Sequence, residues 1–251
     1  MSKIQVETIA GELTERLNAL HASLARYIND DDFQYRLLMR DCAKLISADA
    51  VNGYACRGLA QILTANLGQL EDDIARARAI NSEAGDFCDF MLAQALAKLG
   101  YFSRAQALFL PSANPRLGKF GHRSKIGLAV GAVAALCEMF ELADTMNLAY
   151  SSPVDRQEAE SMASVMRDAN VTDADLASMM DIAGEVARSH RLRIKSQEIR
   201  LLDLDGEKFV HVDIKVDCSA REAADMVSEI AELVAESDKI PPAIHVSFGA
   251  V

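Results

Sequence analysis

No tryptophan occurs in this chain, proline appears only 5 times in 251 residues, and aromatic residues make up 6%. So little proline in an Ala- and Leu-rich chain suits helices, because proline removes a backbone donor and clashes inside a helix. Long apolar runs are also lacking. The most apolar stretch, 126–136, is about half the ~20 residues of a membrane-spanning helix and reads as a buried helix, so no membrane insertion is expected. The opening Met1-Ser2-Lys3-Ile4-Gln5-Val6-Glu7 is polar and acidic where a signal peptide would be basic and then apolar, so none is expected. The 5 cysteines are scattered (Cys42, Cys56, Cys88, Cys137, Cys218), with no CxxC pair and no zinc-ligand spacing. They read as small buried hydrophobes in a reducing compartment, which places the protein in the cytoplasm. Positive charge is in short supply, with 26 Lys and Arg against 37 Asp and Glu and a formal net charge of -11. That balance argues against a general nucleic-acid binder, whose phosphate contacts need clustered cations, while leaving room for local basic patches. Nucleophile-elbow, zinc-protease and dinucleotide-loop signatures are absent, so no enzyme and no cofactor are expected.

The length allows one large domain or two small ones. The sequence period changes near Ser189: before it the chain reads as successive helices, and from Gln197 onward as strand, strand, helix, strand. The strand pair is marked by Leu204-Asp205-Gly206-Glu207, a hairpin signal, followed by Phe209-Val210-His211-Val212-Asp213-Ile214-Lys215-Val216, which alternates with a period of two. Ser219 and Glu222 have the capping-box spacing at the start of a helix whose apolar stripe runs Ala223, Met226, Val227, Ile230, Leu233 and Val234. Ile244-His245-Val246-Ser247-Phe248 alternates again, so the expected class is α+β, with a helical-hairpin stack followed by a small ββαβ domain.

Two stretches of the helical region align with each other. Leu67-Gly68-Gln69-Leu70 and Leu99-Gly100-Tyr101-Phe102 both place Leu-Gly at a helix end, with a large apolar residue two positions later. Gly131 to Leu148 makes a weaker copy, with Phe140 and Ala143 in the places of Phe102 and Ala105, and the helices Val6 to Tyr27 and Phe33 to Ile46 make another. This pattern resembles tetratricopeptide repeats, with Asp73 standing where the consensus has Ala. The resemblance implies a concave face that holds a protein or peptide partner. An irregular helical bundle is the alternative reading.

Within the helical region, the stretch Leu110 to Lys125 reads as a solvated connector. Its cations Arg116, Lys119, Arg123 and Lys125 are the ones that would grip an acidic peptide or a phosphate. Asp32 is placed to cap the helix beginning near Phe33, Ser151-Ser152-Pro153 to open a later helix, and Thr172 or Asp173 to cap the next. Met162, Met166, Met179 and Met180 read as core. The basic string Arg188, His190, Arg191, Arg193, Lys195 reads as a solvated linker.

The segments Glu198-Ile199-Arg200, 209–216, 221–232 and Ile244-His245-Val246, with the helix Asp173 to Arg188 before them, resemble the cytosolic C-terminal domain of cation diffusion facilitator transporters. The likeness covers Asp173 to Val251 and implies a dimerising domain, hence a homodimer. Of the family's metal positions His245 alone is kept; Gln197, Asp213 and Ala224 stand where histidines occur, and Ser247 where an acid does. From the residues themselves, His211, Asp213 and His245 form a candidate site for a divalent ion such as zinc, or else polar residues on the solvent face of a half-buried sheet. The resulting expectation is a non-enzymatic scaffold or adaptor with a helical-repeat domain (1–150), a connecting helix (151–172) and an α+β domain (173–251). A metal-responsive regulator is the alternative.

Overall fold

A computed structural model of the chain describes residues 3–81, 85–110, 120–148, 152, 154–235 and 243–251. The chain is mostly helical, with one three-stranded sheet at its C-terminal end, as the α+β expectation requires. It gathers into two compact units, Met1–Ala95 and Leu96–Val251. The sequence division near residue 150 falls elsewhere, inside the second unit, because helices before that point pack on helices after it.

The first unit contains α1 (Lys3–Ser23), α2 (Phe33–Ala48), α3 (Ala50–Ala60), a 3-10 turn (Gln61–Leu63), α4 (Leu67–Ile80) and most of α5 (Gly85–Lys98). Leu13, Leu17 and Leu20 of α1 bury against Tyr35, Leu38, Cys42 and Leu45 of α2, with Ala60 and Leu63 closing the cluster. Asp32 caps α2 as expected, its Oδ1 accepting from the N–H groups of Gln34 (2.9 Å) and Tyr35 (3.3 Å). Asp73, fully buried on α4, accepts from Arg57 of α3 through both oxygens (2.8 and 2.5 Å) and from Gln69 (3.1 Å). This explains the acid at a position where a repeat would carry alanine: it is the receiving half of a bidentate ion pair. The same pair holds the Arg57 guanidinium above its ordinary pKa.

The second unit is organised by its turns. It adds α6 (Phe102–Phe109), α7 (Phe120–Ala129), α8 (Val133–Thr145), α9 (Arg156–Asp168), α10 (Asp173–Ser189) and α11 (Ala220–Ala235). Five of its helix ends close alike: Gly100, Gly131, Asn147, Asn170 and Arg191 all have positive φ (51° to 74°). In each, the next residue's N–H reaches the carbonyl five positions back, as Tyr101 does to Leu96 (2.9 Å) and Ala132 to Gly127 (2.8 Å), while the positive-φ residue's own N–H reaches three back. These are Schellman closures, which satisfy carbonyls left over at a helix end. Gly100 and Gly131 are therefore equivalent turns. Gly68 is not: it lies in the first turn of α4, with open space around it. Likewise Phe102 opens α6, whereas Phe140 sits in the middle of α8.

Helix α10 carries the tightest contact. A Cβ on Gly184 would lie 2.1 Å from the Gly100 oxygen, and one on Gly100 would lie 2.6 Å from the Gly184 Cα. Around this contact, Arg188 donates to the carbonyls of Leu99 (2.9 Å) and Gly100 (2.6 Å) and lies 4.0 Å from the Tyr101 ring centre. Helices α6 and α8 have no side-chain cap of their own. Asp181 of α10 instead accepts from Ser103 N–H at the start of α6 (3.1 Å), and Asp173 accepts from Ala134 (2.9 Å) and Ala135 (3.0 Å) at the start of α8. Thr172 caps α10 in a full capping box with Asp175. Helix α9 is capped by Asp155, not by the expected Ser151–Pro153 stretch, of which Ser151 and Pro153 lie outside the described residues. The four methionines are core: Met162, Met166, Met179 and Met180 are all nearly inaccessible. All five cysteines are free thiols, and burial pushes Cys42 up to about 12.

The sheet comprises β1 (Ile194–Leu204), β2 (Glu207–Val216) and β3 (Ile244–Ala250), with β2 in the middle. The hairpin turn Asp205-Gly206 has positive φ at both residues (55° and 89°), which suits the twist of a two-residue loop. β3 returns parallel to β2 through α11, with His211 opposite His245 and Asp213 opposite Ser247. Ser219 Oγ accepts from Glu222 N–H (3.1 Å) at the start of α11, as its sequence predicts.

Two substitutions test these contacts by urea denaturation. Gly184→Ala is expected to destabilise the chain by about 2–3 kcal/mol through overpacking against the Gly100 backbone, whereas Gly68→Ala, in open space, stays neutral or gains up to about 1 kcal/mol. Equal effects of the two would refute the close-contact argument. Asp73→Ala leaves Arg57 without its partner and is expected to cost about 3 kcal/mol, most of it recovered when Arg57→Leu and Asp73→Leu are combined.

Candidate functional site

The period of two along β2 sorts its residues into opposite faces. Val210, Val212, Ile214 and Val216 share a face with Ile199 of β1 and with Ile244, Val246 and Phe248 of β3, and all of these are buried. On the other face lie Glu198, Arg200, Leu202 and Leu204 of β1, Phe209, His211, Asp213 and Lys215 of β2, and His245, Ser247 and Gly249 of β3. Leu204 (61% exposed), Glu198, Arg200 and His245 are open to solvent there, while His211 and Asp213 on the middle strand are sealed by their neighbours (8% and 6%).

Two imidazoles meet at the centre of that face. His211 Nδ1 and His245 Nδ1 are 3.1 Å apart, and the rings stack at 5.3 Å with 20° between their planes. One Nδ1 must carry the hydrogen and the other the lone pair. His211 Nε2 lies 3.3 Å from Ser247 Oγ, and Phe209 packs edge-on against His245 at 6.1 Å. Burial pushes the His211 imidazole below its ordinary value of 6.5; His245, Arg200 and Lys215 add to this, and Asp213 opposes it.

Asp213 is held beside them. Its Oδ2 accepts from Lys215 Nζ (2.5 Å) and lies 3.8 Å from Arg200 Nη2. Its Oδ1 is sealed from solvent and makes no hydrogen bond. A Cβ on the neighbouring Gly249 would lie 2.6 Å from this oxygen and 2.6 Å from Lys215 Nζ, so the glycine is what lets the carboxylate and the Lys215 side chain occupy that space.

This geometry corrects the metal expectation. His211 and His245 come together, but Asp213 is engaged by two cations and turned to Lys215, so the three do not form a ligand set. Among the described residues no group of three or more His, Cys, Asp or Glu side chains is arranged to hold a metal ion. The other expected sites also move. Arg123 and Lys125 belong to α7, not to a connector loop; Arg123 is buried (7% exposed) and only Lys125 faces solvent, while Arg116 and Lys119 lie outside the described residues. The basic string after α10 is no solvated linker: Arg188 binds two carbonyls, Arg193 is 4% exposed, and His190 Nε2 lies 2.8 Å from Glu229 Oε1. Two features went unread in the sequence. One is the pair of cations on Asp213, which the two-residue hairpin loop already implies by setting Arg200 opposite His211. The other is a row on α2, Arg36, Arg40 and Lys44, visible as a spacing of four.

No family model matches the chain, and no curated protein or solved structure is detectably similar to it.

The imidazole pair makes stability depend on pH. An unfolded His211 binds its proton near 6.5, whereas the folded one binds it only at lower pH. Its contribution is therefore complete above about 6.5 and is lost as pH falls through the window between the two values. Urea denaturation at about pH 7.5 and about pH 5 is expected to show a larger acid loss for the wild type than for His211→Asn. Equal losses would remove His211 as the titrating group.

Proposed function

We propose that this protein is a non-enzymatic interaction protein: a scaffold or adaptor that self-associates through the C-terminal sheet and holds a protein or peptide partner on its helical part. One observation carries the self-association half. The sheet is covered by apolar packing on one face, and its other face presents the chemistry typical of protein interfaces, with aromatic rings, an arginine, exposed Leu204 and half-buried Leu202 and Phe209. The charges on this face alternate in sign, Glu198 beside Arg200 on β1 and Asp213 beside Lys215 on β2. Two copies related by a two-fold axis can set opposite charges against each other on such a face, as a self-complementary contact requires.

Light scattering and sedimentation of the full chain test this reading. A dimer is expected, and Arg200→Glu combined with Leu204→Glu, both at exposed positions, is expected to weaken it about tenfold or more, equivalent to ~1.4 kcal/mol. A chain that stays monomeric at every concentration, or a dimer indifferent to the double change, would overturn the self-association reading.

A further inference from the structure

The cations of α2 exceed the carboxylates that meet them. Tyr35, Leu38, Cys42 and Leu45 of this helix face the core. Arg36, Arg40 and Lys44, each four residues from the next, share its outer face. Like charges at this spacing disfavour a helix by about 0.2–0.5 kcal/mol per pair, so the row is not there for helix stability. Asp41 is the anion at its centre, and three cations converge on it: Arg16 Nη1 of α1 (3.0 Å), Lys44 Nζ (2.9 Å) and Arg40 Nε (3.4 Å). Those contacts hold its carboxyl below the ordinary carboxylate value, the Lys44 hydrogen bond most of all. Arg40 and Lys44 remain more than half exposed, and Arg16 Nη2 is sealed from solvent without a hydrogen bond.

These groups border a groove of ≈ 420 Å³ between α1 and α2. Among the described residues its apolar lining comes from Ile9 and Leu13, and Glu12 is the one carboxylate in it besides Asp41. Three cations against two carboxylates, in a chain whose formal net charge is -11, make this a local reversal of the molecule's sign. A carboxylate entering from outside would meet the exposed Arg40 and Lys44, and an apolar neighbour on the same ligand would meet Ile9 and Leu13.

The geometry points to this groove as the docking site for an acidic segment of a partner protein, one with adjacent carboxylates flanking an apolar side chain. The assignment rests on the partner-binding half of the proposed function and is independent of self-association. The Asp30-Asp31-Asp32 run precedes the row at the opposite end of α2, so the segment lies toward Lys44, where the negative end of the helix dipole also tolerates cations.

The test is fluorescence anisotropy of the full chain with a labelled Glu/Asp-rich peptide carrying one leucine. Saturable binding is expected, weakened about tenfold or more by Arg40→Glu with Lys44→Glu, and again by raising salt, since exposed charges are screened within about 10 Å at 0.1 M. Both substituted side chains are exposed, and circular dichroism checks that the helices persist. No binding of the peptide, binding unaffected by the double reversal, equal binding of a Gln/Asn analogue, or tighter binding of a single-stranded oligonucleotide of equal charge would each overturn the site. A wild-type chain that dimerises but does not bind the peptide would refute this groove alone, whereas one that binds the peptide but stays monomeric would refute the self-association reading alone.

Discussion

The C-terminal unit depends on one contact between backbones, Gly184 of α10 against Gly100 in the turn between α5 and α6. No side chain fits between them, so α10 lies as near that turn as two peptide chains can come. Everything else α10 does follows from this closeness. Arg188 reaches the carbonyls at the end of α5, and Asp181 and Asp173 reach the open N–H groups of α6 and α8. Gln106 bridges from α6 to the carbonyls of Val130 (3.2 Å) and Asp173 (2.9 Å). A helix whose first-turn N–H groups are left buried without partners loses about 1–3 kcal/mol for each. Here one helix supplies acceptors for two others, so their packing and their capping are a single constraint. β1 begins at Ile194, just past the turn that closes α10 at Ser189, and the constraint therefore also sets where the sheet starts.

What could be read from the sequence is what depends on neighbours along the chain. The strand alternation, the Asp205-Gly206 turn, the stripe of α11 except for the exposed Leu233, and the caps at Asp32, Thr172 and Ser219 all arise within a few residues, and the structure has them as the sequence predicts. What could not be read depends on distant partners. Gly184 looks like a helix-weakening residue until Gly100 is seen beside it. Asp173 and Asp181 look like ordinary surface acids until the uncapped starts of α8 and α6 arrive next to them. Leu67-Gly68 and Leu99-Gly100 are alike in sequence, yet one opens a helix and the other closes one, because only the second is followed by a residue that completes the Schellman closure. The candidate site was half legible. Parity put His211 and Asp213 on one face, and the parallel return of β3 brought His245 opposite His211. The cations that occupy Asp213 come partly from β1, whose register the hairpin loop already fixes.

The sheet face and the α2 face follow opposite electrostatic rules. A middle strand needs no buried carboxylate for stability: an apolar side chain in place of Asp213 would spare the desolvation of an oxygen that finds no donor, a cost of about 1–3 kcal/mol. Asp213 is held there by Lys215 and Arg200, in space that Gly249 leaves free of a Cβ. Charges of both signs sit within a few ångströms there, so a second copy of the same surface can complement it. On α2 the exposed row has one sign. Two such rows brought together would repel, and like-charge juxtaposition costs several kcal/mol at an interface. A surface of that kind disfavours its own copy and suits an unlike, acidic one. Under the proposed reading, the pattern of charge, more than the amount of apolar area, is what would separate recognition of self on the C-terminal sheet from recognition of a different molecule on α2.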